Sequence, residues 1–218
     1  MDSLNPTVLR DGILLFIVLV SSLCLRESAR AWFADKLGDP TPYNDGRLTL
    51  NPLPHIDFVG TILFPLLCIF LLDGRFFIGW ARPIPVNASN FKHPARGDVL
   101  VTAAGPLAHF VLTLVAAVAG AIAVRYLSVA EELTGRFIEI NAWLLAFNLL
   151  PIPPLDGGRI LRYFVGMTWE TFAAISQWSM YVLIAAFYFV PLFQKFFAIL
   201  IGIAATPAAI LFGLLAPH

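Results

Sequence analysis

Long apolar stretches dominate the chain, and shorter loops rich in proline and glycine separate them. The first stretch, residues 12–25, continues in a helical pattern to about Lys36, where turn-forming residues at 38–40 end it. The later apolar stretches are residues 58–72, 99–127, 137–150 and 172–215. We expect Pro191 and Lys195 to divide the last stretch into two helices. Because a crossing needs about 20 mostly apolar residues, the pattern predicts about five or six membrane helices.

Two loop regions, residues 39–57 and 74–97, interrupt this pattern. Residues 47–50 alternate between polar and apolar side chains, which predicts one edge strand. The stretch 58–72 is short for a straight crossing and contains Pro65, so we expect it to re-enter or cross only in part. The predicted fold is an all-α polytopic membrane protein with a small re-entrant and edge-strand region at about 39–97.

The composition supports an integral, multi-pass membrane protein. Hydrophobic residues make up 59% of the 218 residues, charged residues only 13%, and the mean hydropathy is +0.80. A soluble domain is usually about 45–50% apolar and about 25% charged, so the composition argues against a soluble globular fold. Because 14 basic residues balance 14 acidic ones and no basic patch is present, we expect no nucleic-acid partner.

Ionisable residues within or beside apolar segments are costly and usually mark function. They occur here at Arg26, Glu27 and Arg30 in the first helix, at His109 and at Asp156. Each place also has a structural explanation. The arginines would reach water where the first helix leaves the bilayer, His109 would be a hydrogen-bonded histidine, and Asp156 would serve a turn or cap a helix.

Several short motifs occur in a fixed order along the chain. They are Ala31-Trp32, Lys36-Leu37-Gly38-Asp39-Pro40-Thr41, Gly46-Arg47-Leu48-Thr49-Leu50-Asn51-Pro52-Leu53, His55-Ile56-Asp57, Gly79-Trp80-Ala81, Pro83-Ile84-Pro85-Val86-Asn87, Ala104-Gly105-Pro106 and Asn148-Leu149-Leu150-Pro151-Ile152-Pro153-Pro154-Leu155-Asp156-Gly157-Gly158-Arg159. Together they resemble the site-2 protease family, the intramembrane zinc metalloproteases, in its small form without a PDZ domain. The resemblance covers roughly residues 10–165. It implies one membrane-embedded domain, 1–218, with a core at 10–165 and C-terminal helices at 166–218.

The resemblance also implies a site. In that family a His-Glu-x-x-His helix and the aspartate of an Asp-Gly motif bind one zinc ion, and the glutamate is the general base. Here Arg26 and Arg30 stand at the two ligand-histidine positions, while Glu27 keeps the general-base position and Asp156 the third-ligand position. A further departure is His109, where the family usually has asparagine. The residues expected beside the site are Asn148, Gly157 and Gly158.

The two arginines change the expected chemistry, because a guanidinium stays protonated and offers a metal no lone pair. We therefore expect no zinc in this sequence. Two guanidinium groups carry the charge of one Zn²⁺, so we hypothesise that Arg26, Glu27, Arg30 and Asp156 form a buried salt-bridge cluster in its place. The alternative is a rearranged metal site whose ligands are Glu27, His55, His109 and Asp156.

The sequence leaves open whether the chain is an enzyme. The leading interpretation is a pseudoprotease that binds transmembrane or membrane-associated proteins in the lipid bilayer without cutting them, with the predicted edge strand as a place for an unwound segment to pair. The alternative is an active intramembrane metalloprotease that hydrolyses peptide bonds with zinc-activated water at a rearranged site. Transport or channel activity is a third, less favoured interpretation.

Overall fold

The computed structural model describes residues 6–71, 79–127 and 129–216, and helices form most of that part of the chain. The α-helices are α1 (Pro6–Lys36), α2 (Thr41–Asn44), α3 (Phe64–Leu71), α4 (Pro94–Ala123), α5 (Ala130–Leu149), α6 (Asp156–Phe164), α7 (Trp169–Phe189) and α8 (Pro191–Leu215). Two 3₁₀ turns cover Leu53–His55 and Ala88–Asn90, and a π-helical segment, Phe58–Leu63, leads directly into α3.

Within the described ranges, four helices are long and apolar enough to cross a membrane: α1 from Leu9 onward, α4, α7 and α8. The all-α polytopic membrane fold is thereby confirmed. The number of full spans is below the expected five or six for two reasons. The α5 helix has 20 residues but carries Glu131, Glu132, Arg136 and Glu139 in its first half. The α3 helix has only 8 residues.

Local sequence signals place most helix ends. Gly38, with φ of +103°, follows the end of α1, because this left-handed backbone conformation favours glycine. Pro191 begins α8 one residue after α7 ends, as predicted. Lys195 was expected to help divide these helices, but it lies inside α8. A lone lysine near a helix end does not interrupt backbone hydrogen bonding, whereas proline lacks the N–H group.

The predicted edge strand at residues 47–50 is wrong, since this segment forms bends and no strand occurs in the described part of the chain. The N–H of Arg47 donates to the Pro42 carbonyl in a turn at 2.8 Å, and the Thr49 carbonyl bonds to side chains instead of to a neighbouring strand. The Thr49 carbonyl accepts hydrogen bonds from Ser28 Oγ at 2.7 Å and His55 Nε2 at 3.0 Å. Segment 58–71 is short, as expected, but its last predicted residue, Leu72, and residues 74–78 of the second loop lie outside the described residues. A re-entrant path for this segment stays a prediction.

The chain folds into two compact units, residues 1–92 and 93–218. In the first unit, α1 contacts α2, α3 and the 3₁₀ turn that ends at His55. In the second unit, α4 packs against α5, α6 and α8. One apolar cluster of this unit is built from five buried residues, Ala146, Leu150, Leu155, Leu183 and Phe197, and a second is built from Ala117, Ile138 and Ala208. The single domain over 1–218, with its core at 10–165 and C-terminal helices at 166–218, stays a prediction.

Candidate functional site

Three charged side chains of α1 form a buried group, here called the arginine–glutamate group: Arg26, Glu27 and Arg30. Glu27 is only 1% exposed and Arg30 only 6%. Arg26 Nη1 donates a hydrogen bond to Glu27 Oε1, and Arg30 Nη1 lies 3.3 Å from both carboxylate oxygens. Arg30 lies three positions after Glu27, so the two side chains are neighbours on the helix. Arg26 directly precedes Glu27 in the chain and reaches its carboxylate with a long, flexible side chain.

A backbone N–H from a distant segment completes the surroundings of this carboxylate. The N–H group of Ile84 donates to Glu27 Oε2 at 3.1 Å. Arg47, 2% exposed, fixes the chain just before Ile84, because its Nη2 donates to the carbonyls of Arg82 and Pro83. Each Glu27 oxygen therefore accepts at least two hydrogen bonds within the first unit.

A second buried carboxylate, that of Asp39, binds residues 87–90, which follow Ile84 in the chain. It accepts hydrogen bonds from the backbone N–H of Thr41 at 3.1 Å, from the N–H of Asn87 at 2.7 Å and from Asn90 Nδ2 at 2.7 Å. Burial alone would raise the pKa of Asp39, but these bonds and one from the Thr41 hydroxyl favour the charged form and keep the pKa below its ordinary value. Asp39 thus ties residues 87–90 to the end of α1.

His55 is fully buried, and its ring lies beside Ser28, the residue that follows Glu27 in α1. Its Nε2 lies 3.0 Å from the Thr49 carbonyl and 3.3 Å from Ser28 Oγ, and Ser28 directly follows Glu27. Since a carbonyl only accepts, Nε2 carries the proton in this arrangement. The ring's Nδ1 is buried and has no hydrogen-bond partner in the described part of the chain.

In the second unit, Asp156 is the first residue of α6 and is buried. The loop before it packs so tightly that only glycine fits at the next two positions. A Cβ atom on Gly157 would lie 2.3 Å from the Leu149 carbonyl oxygen, and one on Gly158 would lie 2.4 Å from backbone atoms of Ile152 and Pro153. The close packing of this loop therefore requires glycine at the two positions that follow Asp156.

An ion pair anchors the same helix to α4. Arg159 donates to Asp98 through Nη2 and, at 3.1 Å, through Nε, which is a forked pairing of guanidinium and carboxylate. The Tyr163 hydroxyl donates to Asp98 Oδ2 at 2.7 Å. Burial, and next the carboxylate of Asp98, raises the pKa of Tyr163.

The remaining candidate residues of the second unit make structural hydrogen bonds. His109 is fully buried, and its Nδ1 lies 2.9 Å from Asn141 Oδ1. Asn141 in turn donates to the Phe137 carbonyl at 3.0 Å. Asn148 donates from Nδ2 to the Leu144 carbonyl of its own helix at 2.7 Å. These bonds agree with the structural interpretation of His109.

The residues at the expected zinc position do not fit a zinc ion. Arg26 and Arg30 have no lone pair to give, and both direct Nη1 at the one carboxylate between them. In the described residues, no three His, Cys, Asp or Glu side chains lie close enough together to hold a metal ion. The membership of Asp156 in the hypothesised cluster and the rearranged site with His55 and His109 would each join the two units, and both stay predictions.

Sequence reasoning missed three groups that order the surroundings of Glu27: the side chains of Asp39 and Arg47 and the backbone N–H of Ile84. Asp39 carried a local signal, because its bond to the N–H two residues on is the turn pattern typical of aspartate. The partners of Arg47 lie 35 and 36 residues away in sequence. No pattern in one sequence indicates such contacts.

Comparisons with known proteins agree in pointing to one family. The profile of peptidase family M50 matches residues 118–190. "Putative zinc metalloprotease YwhC" of Bacillus subtilis (strain 168) is 41% identical over 156 residues, which cover 68% of this chain and 67% of that protein. "Putative zinc metalloprotease Rip2" of Mycolicibacterium smegmatis is 32% identical over 180 residues, which cover 78% of this chain and 66% of that protein. No solved structure matches the chain.

Proposed function

This chain belongs to peptidase family M50, the site-2 protease family, and from its arginine–glutamate group we infer that it has lost zinc-dependent peptide hydrolysis. In place of cleavage, it binds transmembrane segments of partner proteins within the bilayer. The observation that carries this proposal is the state of Glu27, whose carboxylate is buried between two arginines instead of facing a metal-bound water.

The chemistry of the site supports the loss of hydrolysis. A general base needs a lone pair directed at the water whose proton it removes. Both oxygens of Glu27 already accept hydrogen bonds, from Arg26 and Arg30 on one oxygen and from Arg30 and the Ile84 N–H on the other. The two guanidinium groups supply the positive charge that a divalent metal supplies elsewhere in the family, so they can neutralise the carboxylate without offering a Lewis acid.

The outer surface of α7 supports the binding part of the proposal. Only 11% of the most apolar stretch of α7 is buried within the protein. One face of this helix lines an apolar groove of about 870 Å³ that Ile152 and Phe193 also border. The α7 residues in the groove recur at helical spacing: Thr171, Ala174, Ile175, Trp178, Ser179, Val182, Leu183 and Ala186.

The length of this groove favours a transmembrane helix over a lipid chain. From Thr171 to Ala186 the helix rises about 22 Å at 1.5 Å per residue. One leaflet provides only half of a hydrocarbon core that is about 30 Å thick, so an acyl chain would fill about two thirds of the groove. Small residues such as Ala174, Ser179 and Ala186 allow the close backbone approach that membrane helices use for packing.

The loss of hydrolysis is tested by a search for cleavage products. Membranes from cells that produce the wild-type chain are compared with those of non-producing cells by mass spectrometry of new peptide termini. We expect no new terminus inside a membrane-spanning segment. New termini that appear only with the wild type would overturn the proposal, and their loss in a Glu27→Gln variant that is present at the wild-type level would assign the cleavage to Glu27.

The binding part is tested by crosslinking from the groove. A photoreactive amino acid replaces Ile175 in the groove or, as a matched control, the 65%-exposed Ile203 of α8, which does not line it. We expect crosslinks to other membrane proteins at position 175 in clear excess over position 203, and we expect Ala186→Phe to reduce them by filling the groove. Equal yields at both positions would refute α7 as the binding face.

A further inference from the structure

Arg30 has unused hydrogen-bonding capacity although it is almost fully buried. Its side chain is 7% exposed, and only Nη1 bonds to a partner, at 3.3 Å from each oxygen of Glu27. The Nε atom is buried with no hydrogen-bond partner in residues 6–71, 79–127 and 129–216. Nη2 likewise meets no acceptor in these ranges. The edge of the guanidinium formed by Nε and Nη2 is thus unoccupied by the protein as described.

Arg159 of the same protein shows which kind of group this edge of a guanidinium binds. Its Nε donates to one oxygen of Asp98 and its Nη2 to the other, so the two parallel N–H groups hold a carboxylate in a fork. Asp98 is buried, while the side chain of Arg159 is 28% exposed. Arg30 carries the same edge in a more buried place, with its third nitrogen already fixed by Glu27.

Buried donors almost always have a partner, and a buried donor without one in a native structure points to a bound water, ion or ligand. We propose that the Nε–Nη2 edge of Arg30 is a carboxylate-binding site, occupied by a ligand from outside the chain. The ligand is a carboxylate in the membrane, either the chain end of a peptide or the headgroup of a fatty acid.

The geometry favours a carboxylate over a spherical anion. Two parallel N–H groups match the two oxygens of a planar carboxylate with one straight hydrogen bond each, whereas a single halide ion would accept both N–H groups only along bent hydrogen bonds. Because Glu27 already contacts Nη1, the Nε–Nη2 edge is the part of the Arg30 guanidinium that is left for a forked pairing with a second carboxylate. This inference concerns the site of the proposed function and rests on it only in assuming that no zinc ion lies beside Arg30.

The test is thermal unfolding of the full chain in detergent, monitored by the fluorescence of its five tryptophans. The probes are acetate, chloride at the same ionic strength and pH, and acetamide as an uncharged match. A bound ligand stabilises the folded state by mass action. We expect the melting temperature (Tm) to rise by about 3–6 °C for each tenfold increase of acetate above its Kd, with no such rise in chloride or acetamide.

Matched variants locate the effect. Arg30→Lys keeps the positive charge near Glu27 but loses the fork, so the acetate shift should disappear. Arg136→Lys, at a partly exposed ion pair on α5, should leave it unchanged. A shift that is the same in chloride, or that persists in Arg30→Lys, would overturn the proposal.

Asp156 is tested as an internal competitor. If its carboxylate already fills the edge, acetate will stabilise Asp156→Asn and leave the wild type unaffected, which would overturn an external ligand. If the site is open, the wild type will respond. If the protein contains little zinc and does not respond to acetate, the proposed loss of zinc-dependent hydrolysis still stands and only the carboxylate site is refuted.

Two further probe pairs separate the sources of the carboxylate. Decanoate is compared with decanol, and a capped Leu-Leu peptide with a free chain end is compared with its amide. A lower Kd for decanoate than for acetate, with no gain for the peptide, assigns the site to fatty acids, and the reverse result assigns it to peptide chain ends. Equal and weak binding of all four probes would contradict a site built for a membrane carboxylate.

Discussion

Glu27→Gln removes one negative charge and no bulk from the centre of the arginine–glutamate group. In an active protease of this family the general base serves the reaction, and its loss need not weaken the fold. Here Glu27 is the counter-charge of Arg26 and Arg30 and is 1% exposed. We therefore expect the change to destabilise the protein, because two guanidinium groups stay behind in a buried place without this carboxylate.

The size of the effect follows from the burial of the pair. Removing one partner of a buried ion pair costs about 3–5 kcal/mol. For a chain of about 150–250 residues, 1 kcal/mol changes Tm by about 2–4 °C, so we expect Tm to fall by about 6–20 °C. The change in Tm is measured in detergent by circular dichroism, which follows the loss of helix.

Glu132→Gln is the matched control, since it breaks an ion pair of the same type at the surface. Glu132 and Arg136 lie four positions apart on α5, with side chains 39% and 26% exposed, and such pairs contribute about 0.3–0.5 kcal/mol. If Glu27→Gln folds poorly, Glu27→Gln combined with Arg30→Gln should recover part of the loss, because one uncompensated charge is gone. A Tm for Glu27→Gln within about 1 °C of the wild type would refute the structural role of Glu27.

Two further predictions concern Asp39 in the first unit and Gly120 in the second. The hydrogen bonds that Asp39 accepts keep its pKa in the folded state below the ordinary value of 3.8. They therefore stabilise the folded state fully at pH values above 3.8, and this stabilisation is lost as the pH falls through the lower pKa of the folded state. The difference in Tm between wild type and Asp39→Asn should therefore be constant from about pH 5 to 7 and shrink below about pH 4, whereas a constant difference throughout would contradict the charge-based role. Gly120→Ala would place a Cβ atom 2.0 Å from Thr134 Oγ1, so urea denaturation should show a loss of about 1–3 kcal/mol that Thr134→Ala partly restores.

Most of the fold could be predicted from the sequence because helix-ending signals are local. Proline at 191 and the glycine at 38 act through their own backbone geometry, and both marked the observed ends. The edge strand at 47–50 was predicted wrongly because alternation of polar and apolar residues says nothing about a partner strand. The Thr49 carbonyl found side-chain donors 21 and 6 residues away instead.

The candidate site was predictable in part. Arg30 lies three positions after Glu27, a spacing that makes neighbours on a helix, so their ion pair could be predicted from the sequence. Arg26 and Glu27 are adjacent in the chain, and that spacing alone does not predict a contact. The Ile84 N–H on the carboxylate lies 57 residues away in sequence, and the unoccupied edge of Arg30 depends on three-dimensional packing. A sequence pattern carries no record of either. The role of Asp156 beside this group is still a prediction.

The zinc content of the purified protein tests the central claim most directly. The wild type and Arg26→His combined with Arg30→His are purified in mild detergent, washed with chelator, and measured by elemental mass spectrometry. Because guanidinium groups cannot ligate zinc, we predict almost no zinc in the wild type. We predict about one ion per chain in the double variant, which regains the family's His-Glu-x-x-His motif. About one zinc ion per wild-type chain would contradict the account.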